Sequence, residues 1–275
     1  MADLIRVLLV TKGHPFQREP FFAVFDADAA IEWTHVEQPA ARALFHPDRA
    51  TDFDVFVMYD MPGIRFTRSD PPAVFATPPA DYVEGFEALL DAGKGMVFLH
   101  HAVAGWPAWP GYAEIVGGRF LYQPGELRGR SVRDSGYRFD VHHRVEVLDP
   151  GHPICQGLGE GFDLTDELYC FPVFEDDVVP LMRTTFPVDD PSLFSSSDLA
   201  IRGLRDSNDG WVHEPGSALV AWAKHAGRSP IAYLQFGDGP VTYANPSYRA
   251  ALSNAIRWAA SSEAHAWAGR RADAG

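Results

Sequence analysis

Cysteine is scarce in this sequence. The 275 residues include only two cysteines, Cys155 and Cys170. Their separation matches neither a zinc-knuckle spacing nor a redox CxxC motif. This excludes a disulfide-stapled secreted fold and a cysteine-based zinc site, and we interpret both residues as free buried thiols.

Basic residues and long apolar runs are also scarce. The chain has 23 Lys and Arg against 37 Asp and Glu, a formal net charge of −14, which argues against nonspecific binding to nucleic acid. The apolar run within residues 1–10 is too short to span a membrane, and it lacks the flanks of a signal peptide. We expect a cytoplasmic protein with a small-molecule partner, no nucleic acid and no membrane; a homo-oligomer is left open.

No run of Gly, Ser or charged residues has the character of a linker. A chain of 275 residues that is 46% hydrophobic can bury one sizeable core. We therefore predict a single domain over residues 1–262 and a frayed tail over residues 263–275. Inserted loops are expected around residues 121–216, and the connection over residues 189–216 is long enough to fold over a site.

The apolar pattern predicts the fold. Residues 5–10 and 54–59 are continuous apolar runs, typical of parallel strands covered on both faces. Before a third run at residues 95–99, residues 81–93 show helical spacing and end on glycine. This order predicts an α/β protein with a mostly parallel, doubly wound (flavodoxin-like) sheet and helices on both faces. Residues 137–147 alternate polar and apolar, which indicates edge or antiparallel strands.

Functional side chains of a doubly wound sheet follow the carboxyl ends of its strands. His14, Asp60, His100 and His101 occupy such positions in the predicted sheet. Because neighbouring strand residues point to opposite faces, we predict that one histidine of the adjacent pair meets the ligand and the other supports the fold. We assign the ligand contact to His101 as an acid/base, since imidazole exchanges protons near neutral pH.

Two further residues are candidates for ligand contact. Trp106 lies just beyond the histidine pair, where an indole face suits the C–H face of a sugar ring; a place in the core is the alternative. His213 lies in the long connection and is predicted to close over the site.

Six short segments, spread over nearly the whole chain, occur in an order that matches a known protein family. They are YDMPG (59–63), HHA (100–102) with Trp106 and Trp109, YAEIVGGRF (112–120), VEV through HPI (145–154), LTDELY (164–169) and NAIRWA (254–259). Together they resemble the trehalose-utilisation (ThuA-like) family. The resemblance implies a class I glutamine amidotransferase-like fold and a sugar-related role, in the breakdown of trehalose or other glucosides through 3-keto intermediates.

Amidotransferase chemistry can be tested on the residues. It needs a cysteine on the turn after the third main strand and a histidine at a later strand end. The turn here reads His100, His101, Ala102, and the later strand end, where ThuA-like relatives have Gly-His, reads Gly237 and Asp238. Both reactive residues are missing, so the protein is not expected to be a glutamine amidotransferase.

The segment over residues 164–169 matches the family motif, so we predict Glu167 as a ligand-facing acid that forms an acid/base pair with His101. Adjacent carboxylates favour one protonated member when they are desolvated, so we expect the pair Asp166 and Glu167 to suit a general acid. The predicted substrate-binding residues are His14, Asp60, His100, Trp106, Asp166, Tyr169, His213 and Asp238.

Two functions follow, and a cofactor is left unassigned. The first is an enzyme, a hydrolase, lyase or isomerase, acting on a glycoside or its 3-keto derivative. The second is a non-catalytic sugar-binding or scaffolding protein on the same fold. His14 and His101, with Asp60 or Glu167, would suit a divalent metal such as zinc or manganese, but no local motif such as HExxH supports one.

Overall fold

The structure, a computed structural model, describes residues 4–67, 69–70, 73–213 and 216–274. The α-helices are α1 (Arg18–Asp26), α2 (Ala80–Asp91), α3 (Pro110–Val116), α4 (Ser196–Ala200), α5 (Pro240–Ala244), α6 (Pro246–Ala260) and α7 (Ser262–Ala272). Short 3₁₀ helices span Ala40–Leu44, Pro47–Arg49, His100–Ala104 and Pro153–Cys155. The strands are β1 (Ile5–Lys12), β2 (Ile31–Glu37), β3 (Val55–Asp60), β4 (Ile64–Phe66), β5 (Ala73–Phe75), β6 (Gly95–Leu99), β7 (Gly125–Leu127), β8 (Arg130–Val132), β9 (Gly136–Val147), β10 (Gly161–Cys170), β11 (Val179–Thr184), β12 (Phe194–Ser195), β13 (Leu219–Ala226) and β14 (Ser229–Leu234).

One large sheet organises the protein. Its strand order is β10-β9-β11-β13-β14-β6-β3-β1-β2, and β12 pairs with β9. The strands β14, β6, β3, β1 and β2 are parallel to one another. Numbered along the chain, these five strands have the order 2-1-3-4-5, which is the flavodoxin-like arrangement. The predicted α/β fold with a doubly wound sheet is confirmed.

The parallel strands are buried on both faces. In β3, Val55, Val57 and Tyr59 pack into the core on one face, whereas Phe56 and Met58 pack into the core on the other. All five side chains are inaccessible to solvent. Because successive strand residues point in opposite directions, both sets must be apolar, and the sequence reads as a continuous apolar run.

Helices cover each face, as predicted. Buried residues of α1, α6 and α7 belong to the core cluster of Val57, and those of α2 and α3 belong to the cluster of Met58. The side-chain oxygen of Asn245 caps α6 by accepting hydrogen bonds from the backbone N–H groups of Ser247 (2.9 Å) and Tyr248 (3.2 Å). Among the described residues, no helix is both long and apolar enough to cross a membrane.

Residues 263–272 belong to the packed helix α7, so the predicted frayed tail is wrong for these residues. The side chain of Ser261 caps α7 by accepting from the N–H of Ala264. Ala264 and Ala268 are fully buried, four residues apart on one face of the helix. Such small side chains need no conspicuous apolar stripe to dock, which explains why the sequence pattern does not reveal the helix.

The other half of the sheet is antiparallel. Strands β13, β11, β9 and β10 continue the sheet from β14, each antiparallel to its neighbour. The antiparallel strand predicted over residues 137–147 is confirmed as β9. The region predicted as inserted loops thus contains strands β7 to β12 and helix α4, while residues 214 and 215 of the long connection lie outside the described residues.

Candidate active site

Four polar side chains converge at the edge of the sheet where the parallel strands end. His14 follows β1, and His100 follows β6. Asp238 follows β14, and Glu167 reaches the same place from the antiparallel strand β10. Glu167 Oε2 lies 3.1 Å from His100 Nε2, and Asp238 Oδ1 lies 3.5 Å from the same nitrogen. We call these four residues the strand-end cluster; a doubly wound sheet binds its ligands at this edge.

A sharp turn at the end of β6 sets the position of His100. The strand ends at Leu99, and His100 begins a 3₁₀ helix with a positive φ of 47°. This backbone conformation is unfavourable for a residue with a Cβ, so its surroundings must hold it. Tyr233 Oη donates a hydrogen bond to the His100 carbonyl oxygen (2.9 Å), and His100 Nδ1 donates to the carbonyl oxygen of Gln235 (2.6 Å). The imidazole Nε2 is left to face the cluster.

The surroundings of His100 favour its charged form. Tyr169 Oη lies 2.9 Å from His100 Nε2, and the two rings stack with centroids 4.5 Å apart. Burial on its own would lower the pKa of His100, but the hydrogen bonds and negative charges of Asp238 and Glu167 outweigh burial and raise the pKa well above its usual value. The imidazole therefore bridges two carboxylates.

Glu167 and Tyr169 reach His100 together because residues two apart on a strand share a face. The pairing of β9 with β10 shifts register at Glu167, where Asp140 of β9 has a positive φ of 54°. Such irregularities in a ladder redirect side chains. The predicted ligand-facing acid therefore lies in the cluster.

Asp166 points to the loop after β14 instead of the cluster. Its carboxylate accepts hydrogen bonds from the backbone N–H groups of Gly237 (2.6 Å) and Asp238 (3.1 Å). Burial raises the pKa of Asp166 to about 6, against the opposing effects of His100 and these donors. The predicted substrate contact is replaced by a positioning role, in which Asp166 fixes the backbone that carries Asp238.

His101 does not form the predicted pair with Glu167. His101 is 1% exposed, its Nε2 donates to the carbonyl oxygen of Tyr59 (3.3 Å), and its ring stacks on His14 with centroids 4.5 Å apart. Burial, followed by the neighbouring His14 and His100, lowers the pKa of His101 well below its usual value. The prediction is wrong because the chain leaves the strand before the histidine pair, so simple alternation does not apply.

A glycine brings His14 to the site. Gly13 has a φ of 97°, and a Cβ there would lie 2.3 Å from the carbonyl oxygen of Met61, so only glycine fits. His14 Nδ1 is buried and has no hydrogen-bond partner among the described residues. Burial, and next the charge of His100, lower the pKa of His14. His14 is thus a mainly neutral imidazole at the solvent side of the cluster.

Asp60 and Trp106 lie in a second, closed region. Asp60 is fully buried, and its Oδ2 accepts a hydrogen bond from Gln38 Nε2 (2.8 Å). Burial raises the pKa of Asp60 to about 7. Trp106 is 1% exposed and packs between the ring of Tyr82 (5.3 Å) and the guanidinium of Arg42 (5.1 Å). The predicted sugar platform at Trp106 is therefore wrong, because the indole face is part of the core.

Several polar atoms of this closed region lack partners among the described residues. They are Gln38 Oε1, Asp60 Oδ1, Tyr82 Oη and Trp106 Nε1. We call these four residues the closed polar region. Buried polar atoms of this kind are normally satisfied by internal water. The structure does not bring Asp60 into contact with the strand-end cluster, so its predicted ligand contact is not supported.

His213 lies against a different cavity. Its ring stacks on Trp211 with centroids 4.5 Å apart, and its Nδ1 lies 3.7 Å from Cys170 Sγ. His213 and Cys170 line a cavity of about 670 Å³ together with residues 130–135 and 171–176. No residue of the strand-end cluster lines this cavity, so the placement of His213 gives no support to the predicted lid.

Neither cysteine lies on the turn after β6. Cys155 Sγ contacts the carbonyl oxygen of Leu181, and Cys170 Sγ contacts that of Val188. Burial raises the pKa of Cys155 to about 12 and that of Cys170 to about 11, so both remain thiols. The turn presents His100 where a nucleophilic cysteine would be needed, and the site offers no thiolate for glutamine hydrolysis.

Two contributors to the site were missed at the sequence level. Gln235 holds His100 through its backbone carbonyl oxygen, a contact that does not depend on the side chain and so leaves no signal in the sequence. Tyr122 is half-buried, and burial of its hydroxyl followed by the charge of Glu167 raises the pKa of Tyr122. No pattern in the sequence singles out Tyr122.

The cluster also has the composition of a metal site. One ligand atom each from His14, Glu167 and Asp238 lie within 4.8 Å of one another. The metal sets considered from the sequence included His101 and Asp60, and neither belongs to this group. Imidazole and carboxylate ligands suit zinc and manganese.

The fold and the site together define an α/β protein of the class I glutamine amidotransferase-like type with a histidine on its functional turn. A ThuA-like protein from Parabacteroides merdae ATCC 43184 has a TM-score of 0.64 at 16% identity, covering 94% of this chain and 91% of that chain. A ThuA-like protein from Bacteroides uniformis ATCC 8492 has a TM-score of 0.60 at 17% identity, with 94% and 93% covered. A GMP synthase component from Thermoplasma acidophilum has a TM-score of 0.50 at 10% identity, with both chains fully covered. At these identities the likeness shows the fold.

Residues 6–259 match the ThuA family, which is described as trehalose utilisation. The match extends over nearly the whole chain, so the protein belongs to the ThuA family. The resemblance inferred from the six sequence segments is confirmed. No curated protein matches the sequence significantly, and the activity must therefore be argued from the site.

Proposed function

We propose that the protein is an enzyme that acts on a carbohydrate, a glucoside of the trehalose type or its 3-keto derivative, with His100 and Glu167 transferring protons. The observation that carries the proposal is the convergence on His100 Nε2 of Glu167 Oε2 (3.1 Å), Asp238 Oδ1 (3.5 Å) and Tyr169 Oη (2.9 Å). Groups that exchange protons are gathered at the ligand-binding edge of the sheet, without a cysteine nucleophile.

A 3-keto glycoside suits this set of groups. The ketone at C3 makes the hydrogen on C2 acidic, and the glycosidic oxygen on C1 is β to the ketone. Removal of the C2 proton by a base lets the C1–O bond break with its electron pair, and an acid then protonates the departing oxygen. One member of the His100–Glu167 pair accepts a proton and the other donates one, which is general acid–base catalysis. The description of the family as trehalose utilisation supports this substrate class.

Burial of the pair supports chemistry over simple binding. His100 is inaccessible to solvent, and the side chain of Glu167 is 5% exposed. The side chain of Asp238 is 28% exposed, so the cluster is reached from solvent on that side. A substrate that enters beside Asp238 would meet a proton-transfer pair in which electrostatic interactions are stronger than in water.

The test is a substrate panel with matched variants. Purified protein is incubated with trehalose, other glucosides and their 3-keto derivatives, and products are followed by mass spectrometry and NMR. Glu167→Gln keeps the size of the side chain and removes its basicity, so turnover should fall by about 10²–10⁴-fold. Asp163→Asn, an exposed carboxylate on the same strand, is the control and should retain turnover.

Two results would count against the proposal. Equal turnover by Glu167→Gln and Asp163→Asn would remove Glu167 from the chemistry. Stoichiometric sugar binding without any product, with divalent metals supplied, would support a non-catalytic sugar-binding protein instead.

A further inference from the structure

We propose that His14, Glu167 and Asp238 bind one divalent transition-metal ion of the zinc or manganese type. The inference concerns the same site as the proposed function and deepens it, but the binding of the ion is measurable without any substrate. The three residues come from separate elements, the loop after β1, strand β10 and the loop after β14. Only the folded chain brings them together.

The geometry is close to that of a coordination site. The three potential ligand atoms lie within 4.8 Å of one another. Ligands about 2.0–2.2 Å from a common ion lie roughly 3–4 Å apart. Small side-chain rotations would therefore bring all three onto one ion.

The ligand types select the kind of ion. One imidazole with two carboxylates suits zinc or manganese better than the all-oxygen environment preferred by calcium and magnesium. Three protein ligands leave at least one position for water or substrate, as in catalytic zinc sites. A sugar hydroxyl or ketone oxygen could fill that position, where the ion would polarise it.

The imidazole of His14 is prepared for this role. Its Nδ1 is buried without a hydrogen-bond partner among the described residues. Its ring is held in orientation by stacking on His101 at 4.5 Å, with an interplanar angle of 25°. Gly13 fixes the loop against the carbonyl oxygen of Met61. A neutral ring held in orientation by its neighbours favours metal ligation.

Neighbouring residues orient the two carboxylates. Asp166 holds the backbone N–H of Asp238 at 3.1 Å, and His100 Nε2 contacts both Glu167 and Asp238. Metal ligands are usually supported by such outer contacts. This arrangement explains why a second carboxylate, Asp166, is kept buried beside the cluster and turned toward the backbone.

The experiment measures metal binding directly. Protein is stripped with EDTA, dialysed and titrated with Zn²⁺, Mn²⁺ or Mg²⁺ in a calorimeter, with thermal unfolding followed in parallel. We expect one Zn²⁺ or Mn²⁺ site per chain, much weaker Mg²⁺ binding, and a higher unfolding midpoint with the bound ion. Changes to outer contacts of metal sites cost about 10–100-fold in affinity, so loss of a direct ligand in His14→Ala or Asp238→Asn should cost about 100-fold or more.

Two variants serve as matched controls. His225→Ala removes a half-buried histidine on β13, and Asp163→Asn removes an exposed carboxylate on β10. Both should bind the ion like the unmodified protein. Circular dichroism checks that each variant is folded, and Asp238→Asn, which changes a partly exposed side chain, keeps the test valid if His14→Ala does not fold.

The outcomes separate the two proposals. Absence of a Zn²⁺ or Mn²⁺ site in the unmodified protein, or equal affinity in ligand variants and controls, would overturn the metal site while leaving the sugar activity to its own test. One ion per chain, lost in the ligand variants, supports the metal site even if no sugar in the panel reacts.

Discussion

The strand-end cluster and the closed polar region both contain a buried carboxylate near the carboxyl ends of strands, yet their surroundings differ. Glu167 contacts His100, whose imidazole is shared with Asp238. Asp60 has one hydrogen bond, from Gln38, and its other oxygen has no partner among the described residues. The strand-end cluster combines charges that compensate one another with access to solvent. The closed polar region combines neutral or unpartnered groups with complete burial.

A position at a strand end therefore does not by itself make a residue functional. A carboxylate becomes available for chemistry where a cation balances it and its cluster opens to solvent, as at Glu167, which shares His100 with the partly exposed Asp238. Where neither holds, burial shifts the carboxyl toward its neutral form, as at Asp60, and the residue becomes part of the core.

The largest expected effect is on catalysis by the cluster. His100→Gln removes the proton-transferring imidazole while keeping a polar side chain, so turnover of the reactive sugar should fall by about 10²–10⁴-fold. His101→Gln, which changes the adjacent buried histidine, should lower stability and reduce turnover far less, because neither ring nitrogen of His101 contacts His100 or Glu167. Steady-state kinetics on folded protein measures both, and the reverse ranking would restore His101 as the acid/base.

The next effect concerns Trp106 in the closed polar region. Trp106→Ala should lower the free energy of unfolding by about 3–5 kcal/mol, because a large buried side chain leaves a cavity. Trp106→Phe should recover most of the stability and retain sugar affinity. Denaturant unfolding and sugar titration are the measurements; loss of sugar binding by Trp106→Phe at unchanged stability would show that the indole faces the ligand after all.

A smaller effect, dependent on pH, is expected at Asp60. Its pKa is raised from 3.8 to about 7 in the folded protein, so the folded state holds a proton that the unfolded state has lost. Stability from this group is therefore present below about pH 4 and is lost as the pH rises toward 7, by up to about 4 kcal/mol. The Asp60→Asn variant has no carboxyl group at this position, so this pH dependence of stability is absent from it.

The variant should gain stability relative to the unmodified protein between pH 4 and 7, with a constant difference above pH 7. Denaturant unfolding at a series of pH values tests this. A difference that does not change with pH would mean that Asp60 titrates normally and that the closed polar region is open to water.

The smallest effect is expected at Tyr169. Tyr169→Phe keeps the ring stacked on His100 and removes the hydroxyl 2.9 Å from Nε2. One hydrogen bond is worth about 0.5–1.5 kcal/mol, so turnover should fall by roughly tenfold or less with little change in stability. A fall as large as that of His100→Gln would make the Tyr169 hydroxyl itself a proton-transfer group.

The parallel half of the sheet could be predicted because its signal is local. In the runs at residues 5–10 and 54–59, every side chain of residues 7–10 and 55–59 is apolar, as strands covered on both faces require. Because such runs locate the strand ends, the positions of His14 and His100 just past the strands could also be predicted. Asn245 could be recognised as a helix cap because its side chain acts on the next few residues.

The directions in which the side chains of the site point could not be predicted from local rules. The alternation rule fails at His100 and His101 because the strand ends at Leu99 and a 3₁₀ turn begins. The separate roles of Asp166 and Glu167 depend on an irregular pairing with β9 and on the loop after β14, which is distant in sequence. Such contacts between remote segments leave no periodic pattern in the sequence.

The most direct measurement is a crystal structure of Glu167→Gln, slowed in turnover, with the reactive sugar bound. We expect electron density for the sugar beside Asp238, with an oxygen of the scissile region within hydrogen-bond distance of His100 Nε2. Sugar bound instead in the cavity lined by Cys170 and His213, with the strand-end cluster unchanged, would contradict the account.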